Sequence, residues 1–159
     1  MLQERNEQRI MSKFKTIISQ TEKKLFILLS IYLDSYLRIA LAVIYIWFGV
    51  LKPFGLSPAD ALARKTITFI PGTTFVWILA FWEIAIGVLF LFKPLTRIAV
   101  VVFFLHCAGT FLPLALLPND TFTHFPYAFT LEGQYIIKNL MSIGVVLAIW
   151  VRYVQSKKK

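Results

Sequence analysis

Four apolar runs stand out along the sequence, and each is close to the length needed to cross a membrane as a helix. They cover residues 36–51, 74–92, 98–117 and 134–151. A membrane-spanning helix needs about 20 mostly apolar residues. Backbone groups in hydrocarbon must be hydrogen-bonded within the segment, and no run shows the strict alternation of a barrel strand. The pattern therefore predicts an all-α polytopic membrane protein, a bundle of four transmembrane helices.

The first 35 residues carry a different pattern. Apolar residues such as Phe14, Leu25 and Leu28 recur there at helical spacing, with lysines beside them. The polar lead is too long for a cleaved signal peptide, and Asp34 interrupts the apolar stretch that follows it. Residues 1–35 are predicted to form a cytoplasmic, basic amphipathic helix that lies on the inner membrane surface. The alternative is a helix that docks on a partner or on a second protomer.

Composition favours a membrane protein over a soluble domain. The chain is 58% hydrophobic and only 16% charged, with a mean hydropathy of +0.70. In soluble domains about a quarter of the residues are charged. A net charge of +9 can indicate nucleic-acid binding, but the basic residues flank the apolar runs and no such binding motif is present. The lipid bilayer, and not nucleic acid, is therefore the partner expected first.

The distribution of lysine and arginine predicts the orientation in the membrane. Thirteen of them lie in residues 1–38, 93–97 and 152–159, against three in the loops 52–73 and 118–133. Short loops rich in positive charge stay on the cytoplasmic side. Both termini, including the basic tail of residues 152–159, are therefore predicted to be cytoplasmic.

The single cysteine, Cys107, limits the redox chemistry that the chain can perform alone. A disulfide relay needs two thiols, and one cysteine with two distant histidines does not provide a structural zinc site. Because Cys107 lies inside an apolar run, a buried hydrophobic role is expected. No metal and no covalently bound cofactor are predicted, since the sequence carries no flavin, haem or iron–sulfur motif.

Glu83 and Lys138 are charged residues inside two of the apolar runs, where a charge needs a partner or a water-filled site. Glu83 falls at the middle of its run, and Lys138 enters from the outer side. With a rise of about 1.5 Å per residue, the long stem of Lys138 would bring its ammonium near the depth of Glu83. The pattern therefore predicts an ion pair between these two residues, across the second and fourth helices.

Other polar and aromatic residues are predicted to surround this pair. His106 lies near mid-depth, either as a proton carrier or as an ordinary core residue. The polar core either binds a small ligand or only holds the helices together. The candidate intramembrane site comprises Glu83, Lys138, Asn139, Gln134, His106, Trp47 and Trp82, and the outer polar rim comprises Lys52, Glu132 and His124.

The two outer loops carry further signals. Residues 57–60 (Ser-Pro-Ala-Asp) predict the start of a short helix that continues to about Ile70, where Pro71-Gly72 ends it. In the second outer loop four aromatic residues surround His124. They form either an aromatic belt at the membrane interface or a roof over a binding cavity.

Several segments, taken in order, resemble the DoxX family of membrane proteins. Residues 131–140 (LEGQYIIKNL) look like the signature that precedes the family's last helix. The family's first helix is similar to residues 38–41 followed by 47–54 (WFGVLKPF). The family's second helix is similar to the run that carries a central Glu83 and ends before a tight inner loop. The likeness covers roughly residues 36–151, and the basic N-terminal helix is additional to it.

The resemblance implies a four-helix protein of the bacterial inner membrane. Some relatives are subunits of a thiosulfate:quinone oxidoreductase, and others associate with redox or oxidative-stress proteins. Branches that rely on paired cysteines are poor models for a chain with one cysteine. Carried over by position, the family's polar core falls on Arg38, Lys52, Glu83, Glu132, Gln134, Lys138 and Asn139, whereas His106 has no counterpart.

Three functions follow from these observations. The first is a membrane subunit of a quinone-linked oxidoreductase, in which Glu83, Lys138 and His106 line the quinone headgroup site and a partner protein supplies electrons. The second is a non-catalytic accessory protein that docks a partner or forms a homo-oligomer. The third is a small proton-coupled transporter that uses the same polar core. No catalytic residue is assigned, and the sequence leaves open whether the chain is an enzyme.

Overall fold

The structure is a computed structural model, and it divides the chain into two compact units, Met1–Tyr36 and Leu37–Lys159. The first helix, α1, covers Leu2–Leu51. The structure describes the backbone of residues 2–58 and 60–158 and the side chains of residues 19–58 and 60–158.

The elements that follow α1 are mostly helical. Only Lys138 separates the last two helices, and because its φ of −57° and ψ of −21° are helical, the two form one span. The elements are α2 (Asp60–Thr66), α3 (Gly72–Leu91), α4 (Thr96–Leu116), α5 (Pro118–Thr121), an antiparallel hairpin of β1 (Phe122–His124) and β2 (Ala128–Phe129), α6 (Leu131–Ile137) and α7 (Asn139–Ser156), with 3-10 turns at Lys52–Phe54 and Lys93–Leu95.

Four helices among the described residues are long and apolar enough to cross a membrane. They are Ser19–Phe54, Gly72–Leu91, Lys93–Leu116 and Leu131–Ser156. The predicted all-α fold with four membrane-spanning helices is therefore confirmed, and the chain is a multi-pass membrane protein.

The first unit carries a stretch of exposed apolar side chains in the part whose side chains are described. Apolar side chains from residue 25 to residue 32 point outward on every face of α1: Leu25, Phe26, Ile27, Leu28, Leu29, Ile31 and Tyr32 are all exposed. A helix that is apolar all round suits full burial better than half-immersion at an interface. These residues belong to the candidate span Ser19–Phe54, while Phe14 lies outside the residues whose side chains are described.

The core of the second unit lies where α1, α3, α4 and α7 meet. Ile86, Phe90 and Phe103 are each 0% exposed there. Cys107 belongs to the same cluster and is 3% exposed, which confirms its expected role as a buried hydrophobic side chain.

Helices α1 and α3 approach each other backbone to backbone at two glycines. A Cβ added to Gly49 would lie 2.8 Å from the carbonyl oxygen of Ala80, and one added to Gly87 would lie 2.8 Å from that of Ala42. Small residues allow membrane helices to pack this closely. The contact brings the middle of α3, including Glu83, against the end of α1.

Arg38 is a buried structural residue at the end of the bundle where α3 turns into α4. Its guanidinium donates hydrogen bonds to the Phe90 carbonyl oxygen at 3.3 Å and to the Thr96 hydroxyl at 2.9 Å. The Phe90 carbonyl belongs to the last turn of α3, whose acceptors have no partner within the helix. Phe90 lies two helical turns from Glu83, about 10 Å along the axis. Arg38 therefore stabilises the turn rather than the predicted polar core.

The connections at the opposite end, which we call the loop end (residues 52–71 and 117–130), are linked by an ion pair. The Lys65 ammonium lies 2.5 Å from the Asp120 carboxylate and so links α2 to α5. The short helix predicted in the first connection ends earlier than expected, because α2 stops at Thr66 instead of Ile70.

Candidate functional site

A buried ion pair between Lys52 and Glu83 forms the centre of the candidate site. Lys52 Nζ lies 2.7 Å from Glu83 Oε2, and the two side chains are only 5% and 11% exposed. Lys52 opens the 3-10 turn that follows α1, and Glu83 lies in the middle of α3. A carboxylate at this depth requires such a partner, because an isolated charge is strongly disfavoured in a low-dielectric environment.

His106 from α4 is the third polar member of the site. Its Nε2 lies 3.5 Å from Glu83 Oε1, and its side chain is 8% exposed. This separation is at the outer limit of a hydrogen bond, and a small movement would allow a proton to pass between the two groups. The bundle thus brings together an ammonium, a carboxylate and an imidazole, which we call the polar triad (Lys52, Glu83 and His106).

Aromatic side chains border the polar triad. The ring of Tyr45 meets that of His106 edge-on, with 5.8 Å between the centroids. Tyr45 is 6% exposed, and its hydroxyl lies within interaction range of the Ser142 side chain on α7. Tyr135 on α6 lies within electrostatic range of Glu83. All four spans therefore contribute a side chain at or beside the triad.

The predicted ion pair between Glu83 and Lys138 is wrong. The Lys138 ammonium lies over the Tyr135 ring, 3.3 Å from its centroid, and 4.7 Å from the centroid of Phe48. Lys138 is exposed on the outside of the bundle, where a cation over an aromatic face is partly compensated. Glu83 pairs instead with Lys52, which lies just beyond the end of α1 and was expected only at the rim.

The two tryptophans predicted in the candidate intramembrane site, Trp47 and Trp82, lie elsewhere in the structure. Trp47 is 62% exposed and therefore faces away from the core. Trp82 donates its indole N–H to the Val102 carbonyl oxygen at 3.1 Å and packs against the hydrophobic core. Trp82 thus links α3 to α4 and has a structural role.

The polar residues predicted on the last span make local contacts or lie at its surface. Gln134 is exposed, and its amide donates to the Phe129 carbonyl oxygen at 3.4 Å. Glu132 is exposed in the first turn of α6, and Asn139 begins α7 in a half-buried position. These residues belong to the start of the span rather than to the polar triad.

His124 lies on the exposed hairpin at the loop end. Its ring stacks on that of Tyr127, with 6.3 Å between centroids. Phe125 and Tyr127 are 70% and 77% exposed. Outward-facing aromatic rings suit a belt at the membrane interface better than a roof over a cavity.

Asp60 is a buried acid that sequence reasoning treated only as part of a helix start. It is 8% exposed, and among the described residues neither of its carboxylate oxygens has a hydrogen-bond partner. It lies in the first turn of α2, which packs against α3 and α4, and it is within electrostatic range of Glu83. An acid after Ser57-Pro58 is typical of a helix N-terminus. The local sequence therefore does not distinguish a buried acid at this position from a solvent-exposed one.

The polar triad can donate and accept hydrogen bonds, exchange a proton, or hold three helices together. Among the described residues, no group of three or more His, Cys, Asp or Glu side chains is arranged to hold a metal ion. No family model, curated protein or solved structure matches the chain, so the resemblance to the DoxX family remains a prediction.

Proposed function

We propose that this protein is a DoxX-like membrane subunit of a quinone-linked oxidoreductase, in which the polar triad binds the quinone headgroup. The observation that supports the proposal is the buried contact of Lys52 and His106 with the same Glu83 carboxylate. Quinone oxygens accept hydrogen bonds and quinol hydroxyls also donate them. Lys52 can donate, Glu83 can accept and His106 can do either, so the triad suits both forms of the headgroup.

The depth of the triad also suits a ligand dissolved in the bilayer. Glu83 lies in the middle of α3 and His106 in the middle of α4, both of which are candidate membrane spans. A headgroup on an isoprenoid tail reaches this depth from the lipid phase. The Tyr45 ring beside His106 would form one wall of the site. Electrons would be exchanged with a partner protein that carries the redox cofactor.

Gentle purification followed by solvent extraction tests this proposal. We expect quinone and quinol together to be retained by the wild-type protein, and the quinol part to fall about tenfold or more in Glu83→Gln, because the quinol hydroxyl loses a charged acceptor and one charge-assisted hydrogen bond contributes about 1.5–3 kcal/mol. Trp47→Phe is the matched control, since Trp47 faces outward, and it should retain quinone. Wild-type protein at background content of quinone and quinol would contradict the proposal, as would a folded Glu83→Gln variant that retains the quinol.

A non-catalytic accessory role is the second candidate, and a separate observation favours it. Phe26 is 73% exposed in the first unit, and Ile31 and Tyr32 are 62% and 63% exposed. In a membrane such a surface contacts either lipid or a partner helix, and with a partner helix the Lys52–Glu83 pair would be architectural. A stoichiometric partner polypeptide that copurifies without quinone would support this role.

We also propose that the protein lies in a bacterial inner membrane with both termini in the cytoplasm. The support is the excess of thirteen basic residues over three between the two sets of flanking segments. In intact cells, a membrane-impermeant maleimide should label Asn119→Cys at the loop end but not Gln155→Cys near the end of α7. The wild type is the control, because its Cys107 is buried. The opposite labelling would contradict this orientation.

A further inference from the structure

Lys138 is a charged residue on the outer surface of a membrane span, and two aromatic rings hold its ammonium. It lies in the candidate span Leu131–Ser156 and is exposed. The ammonium is 3.3 Å from the centroid of the Tyr135 ring and 4.7 Å from that of Phe48. The two rings are half-buried and contact each other between α1 and α6, with 5.7 Å between their centroids. We call these three residues the lysine–aromatic cluster (Phe48, Tyr135 and Lys138).

The ammonium of the cluster is directed toward the loop end. Tyr135, over which it lies, precedes Lys138 by about one helical turn and is therefore nearer the start of the span. Phe48 lies close to Leu51, where α1 ends and the loop end begins. Lys138 itself is about 10 Å along the helix axis from Leu131. A lysine stem that extends toward the membrane boundary brings its charge to the level of the lipid headgroups.

No carboxylate of the second unit neutralises this charge. Among the described residues, the Lys138 ammonium forms no ion pair. The acids of the unit are Asp60, Glu83, Asp120 and Glu132. Two of them are already paired with lysines of the loop end, and Asp60 is buried on α2, which packs against α3 and α4. Glu132 precedes Lys138 by six residues, which places it on another face, about 120° around the helix.

We propose that the lysine–aromatic cluster binds the phosphate of an anionic phospholipid in the membrane leaflet at the loop end. The aromatic faces contact one side of the ammonium, which leaves N–H donors on its lipid-facing side for phosphate oxygens. Because the rings already hold the ammonium in one position, little side-chain entropy is lost when a lipid binds. The positive charge favours an anionic headgroup over a zwitterionic one. This inference does not depend on quinone binding.

Photocrosslinking of the full chain in phosphatidylcholine vesicles tests the proposal. The vesicles carry equal trace amounts of photoactivatable phosphatidylglycerol and phosphatidylcholine, each with a diazirine on one acyl chain, and labelled peptides are mapped by mass spectrometry. Around residue 138 of the wild type, we expect phosphatidylglycerol to label about fivefold more than phosphatidylcholine, which corresponds to about 1 kcal/mol for one basic side chain near a headgroup. Lys138→Met should remove this preference, and Lys138→Arg should retain it.

Lys65→Met is the matched control, because Lys65 is a lysine of the loop end whose ammonium is already paired with Asp120. It should leave the preference around residue 138 unchanged. Arg64, the remaining basic residue of that end, lies beside Gly72, and its peptide is mapped separately. If Lys138→Met does not fold, Phe48→Leu keeps the charge and should lower the preference by removing one ring.

Three results would overturn the proposal. The first is equal labelling by the two lipids around residue 138 of the wild type, or a preference that persists in folded Lys138→Met. The second is displacement of phosphatidylglycerol by inorganic phosphate, which would make a free anion the ligand. The third is a wild-type dimer that becomes a monomer in Lys138→Met, which would assign this face to a second copy of the chain.

Discussion

Replacing Lys52 with methionine is expected to lower the free energy of unfolding by about 3–5 kcal/mol, because it leaves the buried Glu83 carboxylate without its partner. The same change at Lys138 should cost only about 1 kcal/mol, since that ammonium is exposed and loses a cation–π contact rather than an ion pair. Unfolding in mixed micelles titrated with SDS measures both values. The two variants form a matched pair, because each exchanges one lysine of this bundle for an unbranched apolar side chain of similar length.

A double-mutant cycle identifies the partner of Glu83. Adding Glu83→Gln to Lys52→Met should recover part of the lost stability, because the uncompensated charge is removed. Adding Glu83→Gln to Lys138→Met should give additive effects, since the two side chains do not form a pair. A larger loss in Lys138→Met than in Lys52→Met, or coupling of Glu83 to Lys138 alone, would contradict the structure.

Replacing Gly87 with alanine should destabilise the protein by about 1–3 kcal/mol, because the new methyl group has no space between α1 and α3. Its Cβ would lie 2.7 Å from Ile46 Cγ1 and 2.8 Å from the Ala42 carbonyl oxygen. The Ala42 backbone cannot move aside as a flexible side chain can, so α1 and α3 would have to separate. Thermal unfolding in detergent, together with the SDS titration, measures the loss.

Gly144 on α7 provides the matched control for this prediction. A Cβ at Gly144 meets nothing within 4 Å, so Gly144→Ala should be neutral or stabilising by up to about 1 kcal/mol through helix propensity. Gly49→Ala should resemble Gly87→Ala, because it affects the same contact from the other helix. Combining Gly49→Ala with Gly87→Ala should cost less than the sum of the two, since helices already forced apart leave room for the second methyl group. Equal stability of Gly87→Ala and Gly144→Ala would contradict the close packing of α1 on α3.

The candidate site could be predicted from the sequence in part. Glu83 and His106 lie inside long apolar runs, so a pattern of hydropathy is enough to single them out. The pairing of Glu83 was predicted wrongly because Lys138 also lies inside such a run, whereas Lys52 lies just outside one. A lysine stem can extend several ångströms along an apolar surface, so its position in the sequence does not determine the depth of its ammonium.

Asp60 and the glycine contact belong to the part that sequence reasoning missed. The burial of Asp60 results from the packing of α2 against α3 and α4, and local sequence carries no sign of it. Gly49 and Gly87 lie 38 positions apart in the sequence. They belong to the same helix–helix contact only because α1 and α3 approach each other closely.

The sequence by itself determined that this protein is helical and crosses a membrane four times, because hydropathy and helical hydrogen bonding act within each segment. It also determined which segments are basic, and hence the expected orientation. Only the tertiary structure decided that Lys52 and not Lys138 neutralises Glu83, that His106 joins them, and that Asp60 is buried nearby. These relations depend on helix rotation and depth, which are determined by packing between residues far apart in the chain.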